Sequence, residues 1–272
     1  MKTTTTISFI LILFTFTVYA QKTPTTRQMN LINWMEFQEV VPSNIETVLF
    51  PVGVVESHGV IPNGADNLAP EAMSKEIAER LNALIAPTLY YGITPRRKGY
   101  GGTITISEKS FKPFVEEIIT ELAENKFKNI IILNGHGGNA KSLNEIATAV
   151  SHKMKVRIMV INWWSLASKA TFEVFGENGG HAGNNETAYI QAIVPQHIHP
   201  ERYTKDMAMA YPSGGAVYTI PNETTIGLYN EGEGYPTFDE KQAHEYFKKV
   251  NDIVADYIQK TIQKWDKAKL YR

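Results

Sequence analysis

Glu56, His58 and Asp66 fall within one short stretch, Leu49 to Leu68 (LFPVGVVESHGVIPNGADNL), and all three are metal-ligating types. An apolar run from Val48 to Val55 breaks directly into Glu56-Ser57-His58, and a turn rich in Pro, Asn and Gly then delivers Asp66. Side chains alternate along a strand, so Glu56 and His58 leave its end on the same side and can converge on one point. His136 ends a second apolar run inside Asn134-Gly135-His136-Gly137-Gly138-Asn139, and His181 and Glu186 flank the predicted start of a further helix, so that both can face one cleft. Glu56, Asp66 and Glu186 with His58 and His136 form a donor set large enough for two divalent ions, with Asp66 as the candidate bridge and a position left open for water. Taken singly, each has a plainer use: His136 as a helix cap, Glu186 as a partner of the helix dipole, Trp163 and Trp164 as core. It is the clustering that points to a metal. His152, His197, His199 and His244 lack an acidic companion at ligand spacing and read as surface or structural residues.

These donors need elements to position them. A strand over Val48–Val55 is followed by a helix with Pro70 in its first turn, running to about Leu84, and by a second strand over Ile85–Leu89. A glycine-rich loop from Tyr91 to Gly102 leads into an alternating, strand-like Gly102–Ser107, and then into a helix over Phe111–Phe127. Asn129–Leu133 is an apolar strand, Ala140–His152 a helix, Val156–Ile161 another strand that Trp163 and Trp164 close, and the Glu186 helix reaches Val194. A short amphipathic helix over Leu31–Val40, with Trp34 and Phe37 on one face, precedes all of these. The stretch from His197 to Tyr235 is irregular, and Thr237 with Glu240 makes a capping box for a last helix ending near Trp265. Strand and helix in alternation give a doubly wound α/β domain with a mostly parallel sheet, whose ligands collect at the carboxyl ends of the strands. Glu56, His58 and His136 lie at such ends.

Composition narrows the partners. The chain has 27 Lys+Arg against 28 Asp+Glu and a net charge of −1, so there is no basic field for nucleic acid. Its first 20 residues, MKTTTTISFILILFTFTVYA, place Lys2 before an apolar core from Ile7 to Val18 and end on a small residue, Ala20. This reads as a signal peptide cleaved after Ala20, since the core is shorter than the roughly 20 residues needed to span a bilayer. The expected product is one exported domain over residues 21–272, periplasmic or secreted, with no membrane contact after cleavage. The absence of cysteine means that it needs no disulfides. No Gly-x-Gly-x-x-Gly follows the first strand, no P-loop Lys-Ser/Thr appears, and Ser57 does not stand in a Gly-x-Ser-x-Gly elbow, which argues against nucleotide binding and serine hydrolysis.

With those residues in hand, the chain resembles the creatininase (creatinine amidohydrolase) family. The matching segments are Pro51-Val52-Gly53 with Glu56-x-His58-Gly59, Pro62 to Asp66, Tyr91-Gly92 through Gly99-x-x-Gly102-Thr103, Asn134-Gly135-His136-x-x-Asn139, and His181-Ala182-Gly183-x-x-Glu186-Thr187. The resemblance implies a three-layer α/β/α fold, two divalent ions (zinc or manganese), a homohexamer, and hydrolysis of a non-peptide C–N bond in a small cyclic or linear amide. By motif position Glu56, His58, Asp66 and His136 are implied metal ligands, and His181 is the implied catalytic histidine. Creatininase itself has a liganding glutamate two residues after the motif histidine. Here that position is Gly138, which leaves Glu186, at the catalytic end beside His181, as the substitute ligand. Trp163, Trp164, Gly137, Gly138 and Arg97 are candidate substrate contacts. Ser57 replaces the family's glutamine, and Pro95-Arg96-Arg97 replaces a loop histidine. A bidentate Arg97 clamp on an anionic group would argue against neutral creatinine as substrate; the other reading of Arg97 is a side chain in solvent. Two rival functions remain open: an exported small-molecule-binding protein on the same fold, and a family hydrolase acting on a C–C or ester bond, a formamide or a peptide.

Overall fold

Apolar side chains on both faces of the central strands determine how the layers stack. A computed structural model of the chain describes residues 23–212, 216–229 and 232–271; the expected signal peptide lies outside them. β1 (Thr47–Val52) and β3 (Asn129–Asn134) are buried at every position, and with β2 (Ala83–Ile85) and β4 (Arg157–Asn162) they form a parallel sheet in the order β2-β1-β3-β4. Leu49, Ile131, Leu133 and Ile161 face a core shared with α2 (Ala65–Ile77), α7 (Asn184–Ile193) and α8 (Glu240–Lys267). Their neighbours Val48, Phe50, Ile130 and Ile132 face α3 (Glu108–Glu124) and α4 (Ala140–Met154) on the other side. This is the expected three-layer α/β/α arrangement, a parallel sheet covered on both faces. The register pairs Val52 with Asn134, so β1 and β3 end level and release Glu56, His58 and His136 on the same edge.

Several boundaries differ from the sequence reading, and tertiary contacts explain the ones nearest the site. β1 stops at Val52, three residues short of Val55, because the chain passes beneath the start of α2: a Cβ on Gly53 would lie 2.2 Å from the Asp66 carbonyl. That helix begins at Ala65, so Pro70 is inside it. Pro70 has no N–H to offer the Asp66 carbonyl four residues back, and the backbone at Gly53 and Gly135 closes on that carbonyl instead. The second strand occupies Ala83–Ile85, with Leu89 making only an isolated bridge to Val52, and Gly102–Ser107 likewise makes bridges only at Ile104 and Thr105. Trp163 and Trp164 open a short helix, α5 (Trp163–Leu166), ahead of α6 (Ser168–Phe175). The stretch read as irregular contains a small parallel pair, β5 (Ala208–Ala210) and β6 (Ile226–Leu228). The cap of α8 is Asp239, whose side chain accepts the Gln242 N–H at 2.8 Å, rather than Thr237. In α1 (Trp34–Val40), Phe37 packs on the core while Trp34 is exposed.

Candidate metal centre

Four separate parts of the chain meet at the strand ends. Glu56 and His58 come from the loop after β1, Asp66 from the first turn of α2, His136 from the end of β3, and His181 and Glu186 from the start of α7. Asp66 sits between two imidazoles: Oδ1 lies 2.9 Å from His58 Nε2 and Oδ2 lies 2.8 Å from His136 Nδ1. Glu56 Oε1 is 3.3 Å from the same His136 nitrogen, and Glu186 Oε2 is 3.6 Å from the same His58 nitrogen. Two triads result, Glu56/Asp66/His136 and His58/Asp66/Glu186, each with its donor atoms within 4.8 Å of one another and joined through the two oxygens of one carboxylate. His181 forms a third group with Glu56 and His58, its Nδ1 3.5 Å from Glu56 Oε1.

The backbone fixes which nitrogen each imidazole offers. His58 Nδ1–H donates to the Glu56 carbonyl at 3.0 Å, His136 Nε2–H to the Ile93 carbonyl at 3.0 Å, and His181 Nε2–H to the Ser57 carbonyl at 3.0 Å. A carbonyl can only accept, so the opposite nitrogen of each ring is the one turned to the centre, where it offers a lone pair once deprotonated, as metal-binding histidines do. Glu56 Oε2 accepts the Thr94 hydroxyl, whereas Glu56 Oε1 is buried without a hydrogen-bond partner. An orphaned carboxylate oxygen facing two imidazoles, with two further carboxylates beside it, suits a divalent cation.

Charge among these side chains is arranged accordingly. Burial opposes ionisation of Glu56, but the charge and contact of His136 outweigh it and lower the carboxyl to about 2. Burial likewise opposes the charged form of Asp66, and His58 and His136 pull it below the usual carboxylate range. Burial would depress His58 and His136, yet Asp66 and Glu186 raise His58 to about 9, and Glu56 and Asp66 hold His136 well above its ordinary value. Burial pushes Glu186 up to about 7, and burial together with the neighbouring His58 and Arg97 charges keeps His181 neutral. Below about pH 9 a cation must therefore displace the His58 proton, and the raised His136 holds a second proton that it must displace, to reach their lone pairs. Metal loading at pH 7 is expected to release about two to three protons per chain, from His58, His136 and part of Glu186, read by calorimetry in buffers of different ionisation enthalpy. Apparent affinity should rise as pH climbs toward 9; loading without proton release would contradict this protonation pattern.

A family model described as creatininase (creatinine amidohydrolase) matches residues 30–256. The chain belongs to the creatininase family. It is 25% identical over 200 residues to the creatinine amidohydrolase of Pseudomonas putida, spanning 66% of this chain and 77% of that one. To the 3-dehydro-scyllo-inosose hydrolase of Thermotoga maritima it is 27% identical over 170 residues, 57% of this chain and 53% of the other. A crystal structure of creatinine amidohydrolase shares the fold, with a TM-score of 0.76 at 21% identity over 87% of this chain and 98% of that one.

In this creatininase-family chain Glu56, Asp66, His136, His181 and Glu186 line a cavity of about 770 Å³, with His58 buried behind them, and Gly137, Gly138, Trp164 and Arg97 line it too. Trp163 is not on that wall. It is 1% exposed and packs against Tyr189, with ring centroids 5.0 Å apart, so the expectation of a substrate contact is corrected to a core role. Arg97 is neither in solvent nor an open fork: it is buried, NH1 donates to the Thr224 carbonyl at 3.1 Å and NH2 to the Tyr229 hydroxyl at 2.7 Å, and Nε lies 3.8 Å from Glu56. Gly138 is held small by its own histidine, since a Cβ there would lie 2.5 Å from His136 Nε2 and 2.2 Å from the Ile93 carbonyl. Sequence reasoning missed Thr94 and Asn139 as supports. Asn139 accepts the Ile93 N–H and donates to the Gly53 carbonyl, tying the β1 end to the loop that orients His136; its place in the Asn134–Asn139 motif was the available signal. Contrary to the sequence reading, His199 and His244 do have acidic companions, Glu201 and Glu240, but both pairs are exposed and lie outside the donor groups.

Proposed function

We propose that this creatininase-family hydrolase cleaves the C–N bond of a small amide at two divalent ions, zinc or manganese, held by Glu56, His58, Asp66, His136 and Glu186. The observation that carries the reading is Asp66, whose two oxygens each face a different imidazole. Creatininase structures in a Zn–Zn form and with Mn support the choice of metals. Bound there, such ions polarise a carbonyl and lower the pKa of water to near neutrality.

The protein's own groups supply the rest. Glu56, Asp66 and Glu186 balance the added positive charge, and the backbone-fixed imidazoles keep the donor geometry from relaxing. His181 is neutral and buried with Nδ1 turned to the centre, which suits it to take a proton and pass it to the leaving nitrogen. Trp164 and Gly137 line the cavity beside these groups. The sequence of the first 20 residues supports export, to a periplasmic or secreted location, and the family resemblance supports a homohexamer.

The test is a hydrolysis panel of lactams, formamides, short peptides and oxidised cyclitols, with the protein loaded with zinc or manganese. Turnover of an amide should vanish after chelation and return with either metal, at about two ions per chain. Undiminished turnover by metal-free protein would overturn the metal centre, and tight binding across the panel with no product would make the chain a binding protein.

A further inference from the structure

The cavity wall carries a guanidinium that the chemistry above does not use. Arg96 lies over the ring of Tyr218, 4.6 Å from its centroid, and near that of Tyr229 at 5.6 Å. Its Nε donates to the Thr219 carbonyl at 3.1 Å. Among the described residues it has no ion-pair partner, whereas the adjacent Arg97 is consumed internally by Thr224, Tyr229 and Glu56. The short turn Pro95–Arg97 thus brings both arginines to the cavity lining, Arg97 bonded internally as a support and Arg96 stacked on its wall. Stacking and the Nε bond hold the plane of Arg96 in place; among the described residues its terminal nitrogens make no hydrogen bond, and Glu223, whose carboxyl the Arg96 charge lowers, lies nearby without an ion pair to it. A planar, two-oxygen anion matches the edge bearing those nitrogens with two parallel hydrogen bonds.

We propose that Arg96 receives a carboxylate borne by the substrate, so that the amides cut at the Asp66 centre are acidic ones: N-acyl amino acids or lactams that carry a carboxyl group. The proposal rests on the hydrolase reading above and adds the substrate class to it. It moves the anion clamp expected of Arg97 to its neighbour, for the physical reason that Arg97's terminal nitrogens are already donating within the protein.

Two matched pairs test it: 5-oxoproline against 2-pyrrolidinone, and N-acetylglycine against N-methylacetamide, each pair differing by one carboxylate. Calorimetric binding to the metal-loaded full chain should favour the acidic member by about 10- to 100-fold, the worth of a charge-assisted bond. Arg96→Gln should erase that preference and Arg96→Lys restore part of it. Both should keep the wild-type metal content and melting temperature, with any loss of turnover in KM rather than kcat. Equal binding of the two members, no binding of either, or a preference that survives in Arg96→Gln would overturn the proposal. An Arg96-dependent preference without turnover would sink the hydrolase reading alone; turnover of neutral amides without preference would sink this proposal alone.

Discussion

Replacing Asp66 by asparagine is expected to empty both halves of the metal centre and to cut turnover by about three orders of magnitude, since a transition state deprived of several kcal/mol of metal stabilisation loses about tenfold per 1.4 kcal/mol. The carboxylate gives one oxygen to the His58 side and the other to the His136 side. An amide of the same shape has one oxygen only. Whichever way it turns, its NH2 group faces one of the two imidazoles and presents protons where an ion requires a lone pair. The half that keeps the oxygen still loses the negative charge. Elemental analysis of Asp66→Asn purified without chelator should find little metal, and adding zinc or manganese should restore little activity. His58 gives a second readout: Asp66 heads the charges that raise its imidazole to about 9, so in the metal-free variant burial should take over and the His58 titration should move down. Full metal content with turnover within about tenfold of wild type would remove Asp66 from the bridging position.

The layers were legible in the sequence because burial on both faces leaves a plain trace: Ile130–Leu133 is apolar without interruption and lies in a strand over Asn129–Asn134. The Ala140 helix was also legible, its inward residues Leu143, Ile146 and Val150 recurring at helical spacing. What failed depends on contacts between distant segments. Nothing within Val52-Gly53-Val54 says that the strand must stop there, because the reason is the Asp66 carbonyl arriving from α2. Pro70 was read as a first-turn proline from its local sequence, while its use is to free that carbonyl inside a helix already under way. In the site, residue chemistry and motif order picked out the side chains that the fold brings together, Glu56, His58, Asp66, His136, His181 and Glu186. The Trp163 contact and the two side-chain readings of Arg97, open fork and solvent, failed for a common reason: exposure is a tertiary property. A Trp-Trp pair after a strand does not show which ring faces the core, and Pro-Arg-Arg-Lys looks like a surface turn until Glu56, Thr224 and Tyr229 close around its second arginine.

Gly135→Ala should have a comparably large effect without touching a metal ligand. The ideal Cβ at position 135 would lie 1.9 Å from the Asp66 carbonyl oxygen and 2.9 Å from its carbonyl carbon, both of them backbone atoms that no rotamer change can move. Gly135 is pinned in turn, its N–H donating to the Val52 carbonyl at 2.8 Å at the level where β1 and β3 end. Relief therefore requires α2 to lift its first turn away from the sheet, carrying the Asp66 carboxylate with it, or β3 to give up that bond and displace His136. Either movement opens the contact between the Asp66 oxygens and the two imidazoles. Overpacking at a backbone contact costs about 1–3 kcal/mol and occasionally more, and here the strain falls on the two elements that present ligands. The expected outcome is a variant several degrees less stable to heat that binds metal weakly even when it remains folded. Gly64→Ala is the control, because a Cβ there meets nothing within 4 Å although it stands two residues before Asp66. If Gly135→Ala took up metal as Gly64→Ala does, the Asp66 backbone could not be what holds the two halves of the centre together.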